Sequence, residues 1–150
     1  MTVGTHGTDA FQSAVRSALG EAALHVDADT LTRYGTSRLP GGPRAPLAVV
    51  CPASTEDVVV LVGLARTHRI ALWPVSAGEN IALGERAPIH AGQVVVDMGR
   101  RMDRVLEIDE TLGFVEIEPG VTFQALYDEL QRRGSELMIS TTSGPPTGSL

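Results

Sequence analysis

Apolar residues recur at helical spacing in three parts of the chain. The first part begins after Asp9, the expected N-cap, and ends at Gly20, so we expect a short amphipathic helix there. The second begins after Ser54 with acidic residues and ends with basic ones, an order that suits the helix dipole. The third occupies residues 123–130 at spacings of i, i+3, i+4 and i+7, and Gly134 is its expected C-terminal cap.

Shorter apolar runs between these helices predict strands at residues 47–51, 71–75 and 93–97. A hairpin is expected from residues 105–109 and 114–118. Residues 25–46 end in LPGGPRAP and are expected to be irregular, because proline and glycine disfavour both helices and central strands. Since one clear hairpin accompanies helices that need not cross between parallel strands, the order predicts an α+β fold rather than a doubly wound sheet.

Composition and charge narrow the class of protein. A chain of 150 residues with 43% hydrophobic content suits one domain with a core. The net charge is −6 and no run of basic residues is present, so nucleic acid is not an expected partner. Neither a signal-type start nor an apolar stretch of membrane-spanning length is present, so we expect a soluble, cytoplasmic protein without a membrane partner.

Several single residues carry expectations of their own. Cys51 lies in an apolar run, so we expect a buried small hydrophobe rather than a nucleophile. The four histidines are far apart and have no cysteine nearby, which disfavours a metal site. Trp73 and Tyr127 lie within apolar patterns and are expected in the core. The acidic residues on strands and turns are expected to form a solvated face: Asp97, Asp103, Asp109 and Glu118.

The stretch PVSAGENIALG, residues 74–84, carries the most chemical information. The small residues Ser76, Ala77 and Gly78 let the backbone approach a ligand closely, and consecutive N–H groups in such a turn suit phosphate oxygens. The spacing matches neither a GxGxxG fingerprint nor a P-loop. Spacing alone therefore leaves two interpretations open, a phosphate cradle and an ordinary surface loop.

Three blocks of the sequence together resemble a known family. They are PLAVVCPASTEDVVVLVGLARTHRIALWPVSAGEN, QVVVDMGRRMDRVLEIDETLGFVEIEPGVTFQALYDELQRRG and SGPPTGSL, in this order. They resemble the PCMH-type FAD-binding domain of the vanillyl-alcohol oxidase and p-cresol methylhydroxylase flavoproteins. The resemblance implies an α+β domain that holds FAD between two subdomains, with a separate substrate domain over the flavin ring.

The same resemblance implies a division of the chain. Residues 1–28 are an N-terminal extension with a short helix, and residues 29–150 are the N-terminal portion, or first subdomain, of the FAD-binding domain. The substrate domain is expected to be absent from these residues. Because TTSGPPTGSL is a loop-type sequence without an element after it, we expect a truncated domain.

The resemblance also implies site residues. The loop that wraps the FAD pyrophosphate comprises Pro74, Val75, Ser76, Ala77, Gly78, Glu79 and Asn80, and Gly84 closes it. Pro119 and Gly120 match a turn in contact with the cofactor, although a helix start at Thr122 explains them equally well. Gly148 and Ser149 match the start of a second FAD loop.

Glu79 departs from the family pattern, since relatives usually carry Lys or Arg at this position. Two orientations are open for its side chain. It either faces the pyrophosphate, where it would be repelled, or points to solvent or to Arg86.

The function implied by the resemblance is that of a flavin-dependent oxidoreductase. The flavin would accept a hydride from a small organic substrate, such as a para-substituted phenol or benzylic alcohol, and oxygen or an electron-acceptor protein would reoxidise it. A homo-oligomer is also open for the complete enzyme. The alternatives are a 2-hydroxy-acid or sugar-type flavin oxidase, and a non-catalytic remnant or binding module that has lost FAD. No residue of this chain is assigned a catalytic role.

Overall fold

The computed structural model describes residues 5–37, 39–79, 85–140 and 145–149. The helices and strands follow one another in this order: α1 (Thr5–Leu19), β1 (Leu24–His25), α2 (Ala28–Gly35), β2 (Ala48–Val50), α3 (Thr55–His68), β3 (Leu72–Val75), β4 (Val94–Asp97), β5 (Val105–Asp109), β6 (Phe114–Ile117) and α4 (Phe123–Arg133). The strands predicted at residues 47–51, 71–75 and 93–97, the hairpin, and the helices after Ser54 and Thr122 are confirmed.

The strands form a four-stranded sheet in the order β1-β2-β4-β3 and a separate two-stranded hairpin, β5-β6. Strands β2, β4 and β3 are parallel to one another, and β1 pairs antiparallel with β2. The α+β class is therefore confirmed. The expectation that no helix needs to cross between parallel strands is wrong for α3. This helix connects β2 to β3, and two parallel strands of one sheet can be joined only by a crossover connection.

Apolar side chains from both faces of the sheet are buried under helices. Phe11 and Val15 of α1 and Leu61 of α3 pack against one face. Tyr34 of α2 packs against the other face, where it meets Val49 of β2 and other strand residues. A third cluster joins the hairpin to α4. The four-stranded sheet is thus covered on both sides, as buried parallel strands require.

Helix α1 begins at Thr5, so the prediction that Asp9 caps it is wrong. Phe11 and Val15 are fully buried, and their packing stabilises a helix that begins four residues before Asp9, although Asp9 has the best capping side chain. The predicted end at Gly20 is confirmed, because Gly20 adopts a positive φ of 86° directly after the last helical residue. The division of the chain at residue 28 stays a prediction; α1 packs on the same core as α3, and β1 pairs with β2.

The prediction that residues 25–46 are irregular is wrong for α2. Asp27 is the N-cap of this helix, and its carboxylate accepts a hydrogen bond from the Thr30 N–H at 2.8 Å. The helix is only 8 residues long and has few apolar positions, so its pattern is weak in the sequence. Burial of Tyr34 against the sheet stabilises it.

The structure also changes the interpretation of several side chains. Cys51 is buried, as expected. Trp73 is partly buried, whereas Tyr127 is 52% exposed, so its assignment to the core is wrong. Asp97 and Glu118 are buried rather than part of a solvated face, because each has a specific hydrogen-bond partner. Within the described residues, every helix is too short or too polar to cross a bilayer.

Candidate functional site

The carboxyl ends of β3 and β4 lie side by side at one edge of the parallel sheet. Residues 76–79 follow β3, and residues 98–102 follow β4. The N–H of Met98 donates to the carbonyl of Val75 at 3.0 Å, which holds the two chain segments together where they leave the sheet. Ligands of open α/β sheets bind outside this edge, so the two loops form the candidate site.

Two glycines allow the loops at this edge to touch through their backbones. A Cβ added at Gly99 would lie 2.5 Å from the carbonyl oxygen of Ser76, and one added at Gly120 would lie 2.6 Å from the carbonyl oxygens of Gly99 and Met102. The Gly120 N–H donates to the Met102 carbonyl at 2.7 Å. No side chain fits in either place, because real Cβ atoms essentially never approach so closely.

Residues 145–149 join the site from the C-terminal side. The N–H of Phe123, at the start of α4, donates to the Gly148 carbonyl at 3.1 Å, and Thr122 forms an isolated bridge with Ser149. The hydroxyls of Ser76 and Ser149 are hydrogen-bonded to each other. The structure therefore brings together the described parts of all three predicted segments, 74–79, 119–120 and 148–149.

Asn80 and Gly84 lie outside the described residues. Glu79 is exposed, and its carboxylate accepts a hydrogen bond from the hydroxyl of Thr147. The expected alternative in which Glu79 pairs with Arg86 is wrong, because the Arg86 guanidinium donates instead to the carbonyl of Ala77 at 2.9 Å. Glu79 thus links the first loop to the third segment.

A buried polar pair, missed by sequence reasoning, lies beside the first loop. The hydroxyl of Tyr34 donates to the carboxylate of Asp97, the last residue of β4. Burial, together with this hydrogen bond, raises the pKa of Tyr34 to about 12. The guanidinium carbons of Arg33 and Arg86 lie 5.2 and 5.3 Å from the centre of the Tyr34 ring. The sequence does not indicate this pair, because the pattern of α2, which carries Tyr34, is weak and because Asp97 is expected in solvent.

A second carboxylate stabilises the turn before Gly120. Glu118 accepts hydrogen bonds from the backbone N–H of Arg104 at 2.8 Å and from its guanidinium at 3.1 and 2.7 Å. The side-chain hydrogen bonds of Arg104 lower the pKa of Glu118. This contact fixes the hairpin to the turn that carries Pro119 and Gly120.

The backbone of the first loop suits a phosphate ligand. Gly78 has a φ of 71°, a left-handed conformation that glycine adopts without strain. Among the described residues, no protein atom accepts a hydrogen bond from the N–H groups of Ala77, Gly78 or Glu79. Three successive amides at the edge of a parallel sheet are typical of a site for the phosphates of a nucleotide cofactor. The fold and site define a cofactor-binding α+β domain.

The comparison with known families identifies that cofactor. The chain belongs to the FAD binding domain family, which matches residues 46–149, and its fold is that of the PCMH-type domain of flavin-dependent oxidoreductases. The cofactor is FAD.

The chain is similar to parts of several longer proteins. It is 38% identical over 144 residues to 1′-carboxy-chondrochloren decarboxylase of Chondromyces crocatus, covering 92% of this chain and 25% of that protein. It is 33% identical over 127 residues to the flavoprotein subunit of 4-cresol dehydrogenase of Pseudomonas putida, covering 83% and 24%. The chain therefore spans about a quarter of the length of these curated relatives.

Solved structures show the same architecture. The 4-ethylphenol oxidase of Gulosibacter chungangensis superposes with a TM-score of 0.90 at 34% identity, over 98% of this chain and 28% of that one. Other curated relatives include a D-2-hydroxyglutarate dehydrogenase of Stutzerimonas stutzeri and a glycolate oxidase subunit of Bacillus subtilis. The family thus includes proteins named for several substrates.

Proposed function

We propose that this chain binds FAD through the backbone of residues 74–80, closed by Gly84, and through Pro119, Gly120, Gly148 and Ser149. One observation carries the proposal: the described parts of these segments, distant in sequence, converge at the carboxyl edge of the parallel sheet. The hydrogen bond between Ser76 and Ser149 is the clearest mark of that convergence.

The chemistry that FAD supplies when bound is the acceptance of a hydride from the substrate. The residues of this chain bind FAD and orient it. In the proposal, the amides of Ala77 and Gly78 donate to phosphate oxygens, while Gly99 and Gly120 keep the loops close enough to enclose them. The Glu118–Arg104 contact fixes the position of the turn at Gly120.

We propose a para-substituted phenol or benzylic alcohol as the substrate of the protein that contains this domain. Support comes from the 4-cresol dehydrogenase subunit and from the 4-ethylphenol oxidase, two similar proteins whose names specify para-alkylated phenols. The first of them is a flavoprotein subunit, which supports an electron-acceptor protein as a partner. The alternative substrate class is a 2-hydroxy acid, and it is supported by the hydroxyglutarate and glycolate enzymes among the relatives.

FAD binding is tested by titrating the cofactor into the purified chain and following flavin fluorescence. We expect saturable binding that is weakened roughly tenfold or more by Gly78→Ala, equivalent to about 1.4 kcal/mol. Gly92→Ala is the matched control, because Gly92 also has a positive φ, of 83°, but lies in a separate turn with open space around it. Absence of saturable binding both to this chain and to the protein as its gene encodes it would favour the non-catalytic alternative. Equal weakening by the two variants would contradict the assignment of the loop.

The substrate class is tested on the protein as its gene encodes it, by mixing it anaerobically with candidate substrates. Bleaching of the flavin absorbance by 4-ethylphenol but not by glycolate or D-2-hydroxyglutarate is the expected result. The reverse preference would establish the 2-hydroxy-acid alternative. Release of carbon dioxide from a carboxylated phenol should be measured as well, because one relative is a decarboxylase.

A further inference from the structure

We propose that Arg86 is a positioning residue that holds the first loop, residues 76–79, in its cofactor-binding conformation. The inference rests on the proposed function of this loop and assigns a role to a side chain outside it. Arg86 does so by contacting the loop with one part of its guanidinium while the same group lies over the ring of Tyr34.

The contact with the loop is close and specific. The Nη2 atom of Arg86 donates to the carbonyl of Ala77 at 2.9 Å. A Cβ added at Gly78 would lie 2.7 Å from Nε and 3.3 Å from Nη2 of the same side chain. The guanidinium therefore packs directly against the Cα of Gly78. By accepting this hydrogen bond, the Ala77 carbonyl fixes the peptide plane whose N–H belongs to Gly78.

The other side of the guanidinium has a rigid support. Tyr34 is only 2% exposed, and its hydroxyl is held by the carboxylate of Asp97 at the end of β4. An arginine over an aromatic face is attracted to the ring while its N–H groups remain available as donors in the plane. Because Arg86 contacts both the fixed Tyr34 ring and the loop that follows β3, it holds this loop in place relative to α2 and β4.

Arginine suits this position better than lysine does. A planar guanidinium can stack on a ring and donate in a fixed direction at once, whereas an ammonium is a point charge on a flexible stem. Arg33 offers a matched comparison in the same place. Its guanidinium carbon lies 5.2 Å from the centre of the same ring, but among the described contacts it has no hydrogen bond to the loop.

The test measures amide hydrogen exchange of residues 76–79 in the cofactor-free chain, by NMR or mass spectrometry. Arg86→Ala and Arg86→Lys should each speed exchange in this loop, roughly fivefold to tenfold, because local opening becomes easier. Arg33→Ala should leave the loop rates within about twofold of the wild type. The melting temperature should stay nearly constant in all variants, since a general structural role would lower it.

The affinity for FAD provides a second readout. Both Arg86 variants should raise the Kd roughly fivefold to tenfold, and Arg33→Ala should leave it unchanged. Unchanged exchange in Arg86→Ala would overturn the proposal, and so would wild-type behaviour of Arg86→Lys, which would show that charge alone suffices. A wild-type chain that binds no FAD would contradict the proposed function, while the exchange rates would still decide the role of Arg86.

Discussion

Gly99 and Gly120 set the distance between the loops at the candidate site. Each lies where any side chain would collide with backbone carbonyl oxygens, at 2.5 and 2.6 Å. Backbone atoms cannot rotate away as the end of a flexible side chain can, so relief of the collision requires the loops to separate. Glycine is needed at these positions for close approach, since neither has a positive φ that demands it.

Gly99→Ala should therefore destabilise the fold by about 1–3 kcal/mol, the usual cost of forcing extra atoms into a packed region. Chemical denaturation followed by circular dichroism measures the change. Gly63→Ala is the control, because Gly63 lies in helix α3 with nothing within 4 Å of an added Cβ. This variant should be stabilised by up to about 1 kcal/mol through helix propensity. A neutral Gly99→Ala would show that the loops are not packed as described.

The hydrogen bond from Thr147 determines the expected behaviour of Glu79. If the carboxylate faced the pyrophosphate, Glu79→Lys would tighten FAD binding by relieving repulsion. The structure instead favours a link between two loops, so we expect Glu79→Lys to leave the Kd unchanged or to raise it by about threefold at most, as is typical of an exposed polar contact. Thr147→Val should have the same effect. Titrations with FAD at low and high salt measure the Kd of both variants. Tighter binding by Glu79→Lys that weakens at high salt would show that the Glu79 side chain faces the pyrophosphate.

Helix α2 and strand β4 are connected through the buried Tyr34–Asp97 hydrogen bond. Because the pKa of Tyr34 is raised from 10 to about 12, the folded state keeps this phenol protonated where the unfolded chain would ionise it. The contribution to stability is complete below pH 10 and is lost as the pH rises towards 12. The loss amounts to at most about 3 kcal/mol, since one pKa unit corresponds to about 1.4 kcal/mol.

Tyr34→Phe should make the free energy of unfolding less dependent on pH between 10 and 12. The background is favourable, because the chain contains no lysine to titrate in this range. Burial also raises the pKa of the Cys51 thiol, but that thiol is present in both proteins. Urea unfolding at a series of alkaline pH values gives the two slopes. Parallel curves would show that the Tyr34 hydroxyl is not buried in the folded state.

The elements that the sequence predicts well are those with strong local signals. Helix α3 has Ser54 as a side-chain cap and basic residues at its end, and α4 ends at Gly134 in the left-handed conformation, as its pattern indicates. Helix α2 and the true start of α1 depend on packing against the sheet, which a local pattern does not contain. The antiparallel β1 has only 2 residues and is defined by its pairing with β2.

The residues of the candidate site also fall into two groups, those that the sequence indicates and those that it does not. The small residues of the first loop, the turn at Gly120 and the segment at Gly148 are visible as motifs, and the structure places them together. The supporting residues are not visible, because Tyr34, Arg86 and Asp97 are separated in sequence and become neighbours only when α2 packs beside β4. The residue type of Glu79 alone does not predict its role. A carboxylate near a phosphate loop suggests repulsion of the phosphate, whereas in the structure the Glu79 carboxylate accepts a hydrogen bond from the hydroxyl of Thr147.

Large apolar side chains on the hairpin, on α4 and after α4 are exposed, and two of them, Phe114 and Met138, line one pocket. Leu112, Phe114, Tyr127 and Met138 are 74%, 44%, 52% and 85% exposed. Apolar patches of this kind favour association in water. We therefore expect the purified 150-residue chain to self-associate as its concentration rises, although its net charge is −6.

Replacing both Phe114 and Met138 by serine should shift the chain towards monomer in sedimentation velocity experiments. Val59→Ser is the control, because Val59 is 67% exposed on α3 and does not line the pocket that Phe114 and Met138 share. The control should sediment like the wild type. A wild-type chain that stays monomeric at all concentrations would contradict the expectation, and equal effects of both changes would show that the association does not use the hairpin surface.

In the proposed function, segments distant in sequence hold FAD at one edge of the parallel sheet. A single NMR titration of the isotopically labelled chain with FAD tests it most directly, since every backbone amide reports its own environment. We expect the largest shifts at residues 76–79, at Gly120 and at residues 148–149, with little change in α1 or in the turn at Gly92. Shifts centred elsewhere, or none at saturating FAD, would contradict it.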